Sequence, residues 1–177
     1  MKSSFIFLLV LNLSLVAVRR SAAADRWQKQ NFAPVCFGAK NEEFGKFHIK
    51  TADKKLAAVK LVHLYGYVTC DKRYVSYWSY WGCGSYFYVL GKINVVITTA
   101  TKDVLLPPSQ FIVHNGAKWS KVPGYNSLSP ELVLSSFSPS LVSYNQELQV
   151  WYGEDLTNAL ERDNGGTTCV DVYAIFV

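Results

Sequence analysis

The sequence predicts an all-β protein, an antiparallel β-sandwich of the jelly-roll kind, stapled by disulfides. Three observations carry this. Short runs rich in Val, Ile, Leu and Tyr recur along the chain with turn chemistry between them. No stretch sustains an apolar period of 3.6 residues long enough for a substantial helix. Four cysteines, Cys36, Cys70, Cys83 and Cys169, all follow a segment that reads as a secretory signal.

That segment comes first. Lys2 opens the chain, an apolar run over residues 5–18 is interrupted only by Asn12 and Ser14, and Ala22, Ala23 and Ala24 offer small residues for cleavage. Residues 1–24 are therefore expected to be a signal peptide, with Arg19 and Arg20 unusually close to the cut. The run is shorter than the roughly 20 residues a spanning helix needs, so no membrane anchor is expected. The 177-residue chain carries a formal charge of +5. Losing Lys2, Arg19 and Arg20 with the signal leaves +2. The remainder is asymmetric: residues 25–121 hold 14 basic and 6 acidic side chains, residues 122–177 hold 1 and 7. Scattered lysines favour mutual neutralisation of the two parts over an anionic partner, and secretion with so small a charge disfavours nucleic acid.

Residues 25–54, broken by Pro34, Gly38 and Gly45, read as an N-terminal arm with one cysteine anchor and a short strand at 46–50. The sandwich is expected over 55–177. Its first strand spans 56–68, where the early alanines would tolerate a helix but Gly66 and the tyrosines oppose one. Residues 65–88 follow as the densest part of the chain: ten of twenty-four are aromatic, and Cys70 and Cys83 bracket the middle. Residues 86–90 and 93–99 read as a hairpin about Gly91 and Lys92. Pro107 and Pro108 break the chain, 111–114 forms a short strand, and Asn115-Gly116 marks a turn. Residues 119–130 look like a long loop. Strands are expected at 131–137 and, beyond Pro139, at 140–144. In 147–152 alternation places Leu148 and Val150 on one face, Gln149 and Trp151 on the other. One helical turn fits near 156–160, and Asn164-Gly165-Gly166 is a turn. The closing strand, 169–177, sets Val170, Val172, Ala174 and Phe176 against Asp171 and Tyr173.

Four cysteines allow three pairings, of which Cys70–Cys83 and Cys36–Cys169 are expected. The first closes the aromatic loop and contributes about 3 kcal/mol by restricting the unfolded chain; the second ties the domain's entry to its last strand. Zinc is disfavoured because no C-x-x-C pair or histidine pair is present.

No catalytic motif appears. His48, His63 and His114 stand apart, and neither a G-x-S-x-G elbow nor a phosphate-cradling glycine loop exists. A non-enzymatic protein is expected. Tyr74, Tyr77 and Tyr80, in the loop between Cys70 and Cys83 beside Asp71, Lys72 and Arg73, form the expected ligand surface, since tyrosine presents an apolar face and a polar tip. Most other aromatics, with 150–250 Å² each to bury, belong to the core. Glu154, Asp155 and Asp163 are the expected metal ligands if calcium binds. It takes six to eight oxygens, and this acidic segment lies between two strands without EF-hand spacing. The alternative is a solvated acidic loop.

Gly66-Tyr67-Val68-Thr69-Cys70, Trp81-Gly82-Cys83, Trp151-Tyr152-Gly153-Glu154-Asp155-Leu156 and Asp163-Asn164-Gly165-Gly166, with Lys60-Leu61-Val62-His63 and Cys169-Val170-Asp171-Val172-Tyr173, resemble secreted cnidarian domains of the coral skeletal organic matrix type. The resemblance spans about 55–177. It implies an extracellular matrix component, of a mineralised skeleton, that binds polysaccharide, matrix protein or mineral. The alternatives are a calcium-assisted carbohydrate-binding lectin and, third, a secreted defence protein or toxin.

Overall fold

A computed structural model describes residues 27–84 and 90–177. The expected signal peptide and residues 86–89 of the expected hairpin lie outside them. Eleven strands are described: β1 (Gln28–Lys29), β2 (Val35–Gly38), β3 (Gly45–His48), β4 (Lys54–Thr69), β5 (Val95–Thr99), β6 (Val104–Leu106), β7 (Ile112–His114), β8 (Trp119–Ser120), β9 (Glu131–Val142), β10 (Glu147–Tyr152) and β11 (Gly165–Phe176). One short helix, α1 (Gly153–Thr157), follows β10.

Two antiparallel sheets make the sandwich. In the first, β11 pairs with β1 and β2 along one edge and with β4 along the other, and β4 pairs with β9. The second has the order β3-β10-β5-β6. The chain thus crosses between sheets as it runs β2, β3, β4, β5, and again as β9, β10, β11. That is the two-Greek-key arrangement of a jelly roll. A small hairpin of β7 and β8 sits outside both sheets.

The core is the filling between the sheets. Leu56, Val59 and Leu61 of β4, Leu132 and Leu134 of β9, and Val170, Val172 and Ala174 of β11 face Phe47 of β3, Val95 and Ile97 of β5, and Leu148, Val150 and Tyr152 of β10. The inward side of β11 is the one its alternation predicts. β10 differs: Leu148 through Tyr152 are all buried. It lies between β3 and β5, and its outer face is covered too, with Phe44 stacked on Trp151 at 4.6 Å and Lys102 4.9 Å from the same ring.

Three expectations need correction. The segment read as an arm is woven into both sheets, since β1 and β2 extend the first and β3 the second. β3 is the short strand expected at 46–50, whereas β1 and β2 carry too few residues for a legible period and are held by pairing with β11. The strand expected to stop at Pro139 is one strand, β9. It pairs with β4 on both sides of the proline, but the register jumps from Ala58↔Ser135 to Leu56↔Ser140, so Pro139 falls in an unpaired excursion where its missing N–H costs nothing. The loop beginning at 119 opens with β8, whose Ser120 exchanges backbone hydrogen bonds with Ile93 at 2.9 Å.

Both disulfides form as expected, Cys36–Cys169 and Cys70–Cys83. The first joins directly paired residues of β2 and β11. β4 runs sixteen residues, from Lys54 to Thr69, and its pairing with β11 shifts register twice, between Leu56 and Ala58 and, just before Gly66, between His63 and Tyr65. There Gly66 takes a positive φ of 83°, and any Cβ would collide with the Thr167 carbonyl oxygen of β11. Only glycine meets both demands.

Candidate functional site

The ends of β4 and β10 and the start of β11 converge at one pole of the sandwich, and a cleft of about 480 Å³ opens there. One wall is the disulfide-closed loop. Leaving β4, the Thr69 hydroxyl donates to the Asp71 carbonyl at 3.1 Å and the Asp71 N–H lies 3.2 Å from the Thr69 Oγ1, which turns the chain sharply. The Asp71 carboxylate then gathers Arg73: Oδ1 accepts from the backbone N–H at 3.0 Å and from Nε at 2.9 Å, and Oδ2 accepts from Nη2 at 2.6 Å. These bonds hold the Asp71 carboxyl below the usual carboxylate range and raise Arg73. The same guanidinium nitrogen reaches Asp163 at 3.5 Å, and the Lys72 N–H donates to the Asp163 carbonyl at 2.9 Å. Arg73 thereby bridges two carboxylates on the rim.

Beyond Arg73 a 3₁₀ turn, Val75–Tyr77, brings the rings of Tyr74 and Tyr77 to 4.7 Å, tilted at 40°. Tyr74 is half exposed, and the Arg73 guanidinium lies 5.8 Å from its ring centre. The turn is closed by the Gly84 N–H, which donates to the Tyr77 carbonyl at 2.7 Å one residue past Cys83.

Trp119 and Glu154 complete the lining from beneath. Glu154 is buried as the second residue of α1, and both carboxylate oxygens are used: Oε1 accepts from the Trp119 indole and Oε2 from the Asn164 amide, each at 2.9 Å. Burial pushes this carboxyl up, against those two hydrogen bonds. Asn94 fixes the start of α1, accepting from the Glu154 N–H at 2.9 Å while donating to the Ala117 carbonyl at 2.7 Å. Gly153 permits this approach, since a Cβ would lie 2.6 Å from that of Lys118. Leu160 and Asp163 form the far side.

The structure therefore brings together Tyr74, Tyr77, Glu154 and Asp163, read from two loops eighty residues apart, and adds Trp119. It separates two others. Tyr80 lies away from the cleft, stacked on His63 at 3.9 Å and on Tyr67 at 5.5 Å. Asp155 turns to the opposite side of α1, where Oδ1 and Oδ2 accept from the backbone N–H groups of Glu42 and Glu43 at 2.7 and 3.0 Å. Both of those groups belong to the tight β2–β3 turn, in which Asn41 and Glu42 have positive φ. Burial pushes the Asp155 carboxyl up to about 6, with Glu161 adding to the effect. Glu154, Asp155 and Asp163 consequently do not share one site. Among the described residues no group of three or more His, Cys, Asp or Glu side chains is placed to hold a metal ion. Trp119 was hidden in the sequence because its loop has no period; a tryptophan in a Pro-, Gly- and Ser-rich stretch is the one signal it left.

No protein-family model and no curated protein sequence matches the chain. Among solved structures, AJLec from the sea anemone Anthopleura japonica superposes with a TM-score of 0.76 at 38% sequence identity. The match covers 85% of this chain and 97% of that one. Identity at this level over nearly the whole of the relative reflects shared descent as well as shared architecture. The chain belongs to the same family as AJLec.

Proposed function

We propose that the protein is an extracellular lectin that binds a saccharide in the cleft between the Cys70–Cys83 loop and the α1–β11 segment. The observation that carries this is the placement of the tilted Tyr74–Tyr77 pair beside the Asp71–Arg73–Asp163 chain. A pyranose ring has an apolar C–H face and an equatorial rim of hydroxyls. Aromatic rings accept the face, and carboxylates and a guanidinium fixed in plane accept and donate to neighbouring hydroxyls. The name of the 38% identical relative, AJLec, supports the same class. The reading is one of binding rather than catalysis. The two disulfides fit an oxidising, extracellular compartment, in line with a cleaved signal peptide.

Calcium is the finer part of the proposal. Arg73 sits between Asp71 and Asp163, and a divalent cation taking its place would have both carboxylates to hand. Matrix retention is the second reading, favoured by the exposed Tyr74: the same cleft would hold the protein on extracellular polysaccharide.

The test is binding of the purified protein to a panel of neutral mono- and oligosaccharides, with and without chelator. Saturable binding that weakens in Tyr74→Ala and Asp163→Asn supports the lectin. A panel with no saturable ligand in calcium-containing buffer overturns it. Binding lost on chelation assigns calcium; binding unchanged by it assigns direct recognition.

A further inference from the structure

A second cleft, of about 510 Å³, lies at the other pole of the sandwich. β10 connects the two: Tyr144 and Asn145, just before it, line this cleft, and Glu154, just after it, lines the first. Six strand residues separate them by about 20 Å. The second cleft is built from the β1–β2 connection, β3 and the β9–β10 turn, tied by the Asn145 N–H donating to the Ile49 carbonyl at 2.7 Å.

Its lining has an unusual composition. Phe32 is 96% exposed, yet the Lys50 ammonium is held 3.5 Å from its ring centre. Tyr144 is 69% exposed on the same cleft. Two large aromatic faces so open to water gain little from folding, whereas a flat apolar ligand face would bury them. Lys46 adds a second cation, and its ammonium and the His48 imidazole each lie 3.8 Å from the Glu147 carboxylate. Lys50 has no carboxylate partner among the described residues; the aromatic ring is what holds its charge in place. The cleft thus offers two stacking surfaces and an uncompensated cation beside them.

We propose that this cleft is a second saccharide site, selective for a sugar ring bearing a carboxylate or a sulfate, so that one chain is bivalent. Phe32 and Tyr144 take the apolar ring face, Lys50 takes the anionic substituent, and Lys46 assists once the anion competes with Glu147. Bivalency of this kind lets a single domain bridge two glycan chains and multiplies avidity without new contacts. The assignment of this cleft stands on its own lining, whereas bivalency rests on the first cleft also binding a saccharide.

The experiment is calorimetric titration of the full secreted chain with a sulfated heparin-derived tetrasaccharide and with a carboxylated oligogalacturonide. Variants Lys50→Ala, Phe32→Ala and Tyr74→Ala are compared with the unaltered chain. Binding of at least one anionic ligand should fall at least about tenfold in Lys50→Ala, the loss of one charge-assisted hydrogen bond, and also fall in Phe32→Ala. It should be unchanged in Tyr74→Ala and should weaken with added salt. Which ligand binds distinguishes sulfate from carboxylate. Phe32 and Lys50 are both exposed, so the variants keep the fold, checked by circular dichroism. The proposal is overturned if neither ligand binds, or if binding survives Lys50→Ala and Phe32→Ala; loss in Tyr74→Ala would then move the anionic ligand to the first cleft. Failure of the lectin reading shows instead as loss of neutral-sugar binding alone.

Discussion

Arg73 joins Asp71, two residues before it, to Asp163, ninety residues after it, through one guanidinium nitrogen at 2.6 and 3.5 Å. The contact with Asp71 is local and shapes the disulfide loop. The contact with Asp163 holds that loop against the segment entering β11. Between them they set the width of the cleft.

Tyr74→Ala should weaken saccharide binding by roughly five- to tenfold, the worth of about 1 kcal/mol of aromatic contact, with little change in stability because Tyr74 is half exposed. Tyr80→Ala should do the reverse. It removes the stack on His63 and Tyr67 outside the cleft, so the midpoint of chemical denaturation falls while affinity holds. Titration and denaturation of the two variants side by side would separate the roles.

Trp119→Phe should lower stability by about 1–3 kcal/mol. It leaves Oε1 of the buried Glu154 without its donor, at a carboxylate that burial already disfavours. Urea unfolding measures the change; an unaltered midpoint would show that the hydrogen bond contributes nothing.

Replacing Cys70 and Cys83 together by serine should cost about 3 kcal/mol, since the closed loop is short. Saccharide binding should fail before the fold does, because the loop carries Arg73, Tyr74 and Tyr77 while the sandwich is held separately by Cys36–Cys169. Far-ultraviolet circular dichroism with a binding assay reads both.

Acid should stabilise the protein before it unfolds it. Asp155, raised to about 6 in the fold against about 4 in the unfolded chain, binds its proton more tightly when folded. Its contribution is therefore greatest below about pH 4 and is lost as pH rises to about 6. Asp71 and Asp171 have the opposite sign. Arg73 holds the first below the usual range; the second is held there by Lys29 and Asn31 against the opposing effect of burial. Their stabilisation is present above about pH 4 and is lost as pH falls further. Thermal melting should show a maximum in mild acid, and Asp155→Asn should flatten the decline between pH 4 and 6. A melting temperature that only rises from pH 4 to 7 would contradict this.

Several features were legible in the sequence because they depend on neighbours along the chain. The run at 169–177 alternates cleanly, so its buried face, Val170, Val172 and Ala174, could be assigned from the pleat alone. Cys70 and Cys83 sit close enough to pair around one loop, and the tyrosines between them marked that loop as a surface. The same local logic failed at Pro139, because a bulge can absorb a proline inside a long strand. It failed again at β1 and β2, whose strands have too few residues to show a period, while β3 matches the short strand expected at 46–50.

Residue type and short-range spacing carried the fold class, the expectation that four cysteines form two disulfides, and the two loops that line the cleft. Which of their residues meet depends on contacts that residue type and spacing do not encode. Glu154 and Asp155 are adjacent, yet successive positions on α1 point differently, so one lines the cleft and the other anchors the β2–β3 turn. Tyr77 and Tyr80 part in the same way, because the chain leaves its 3₁₀ turn between them and Tyr80 falls onto His63. Partners far apart in the chain are set by how the sheets pack, and no local pattern encodes that.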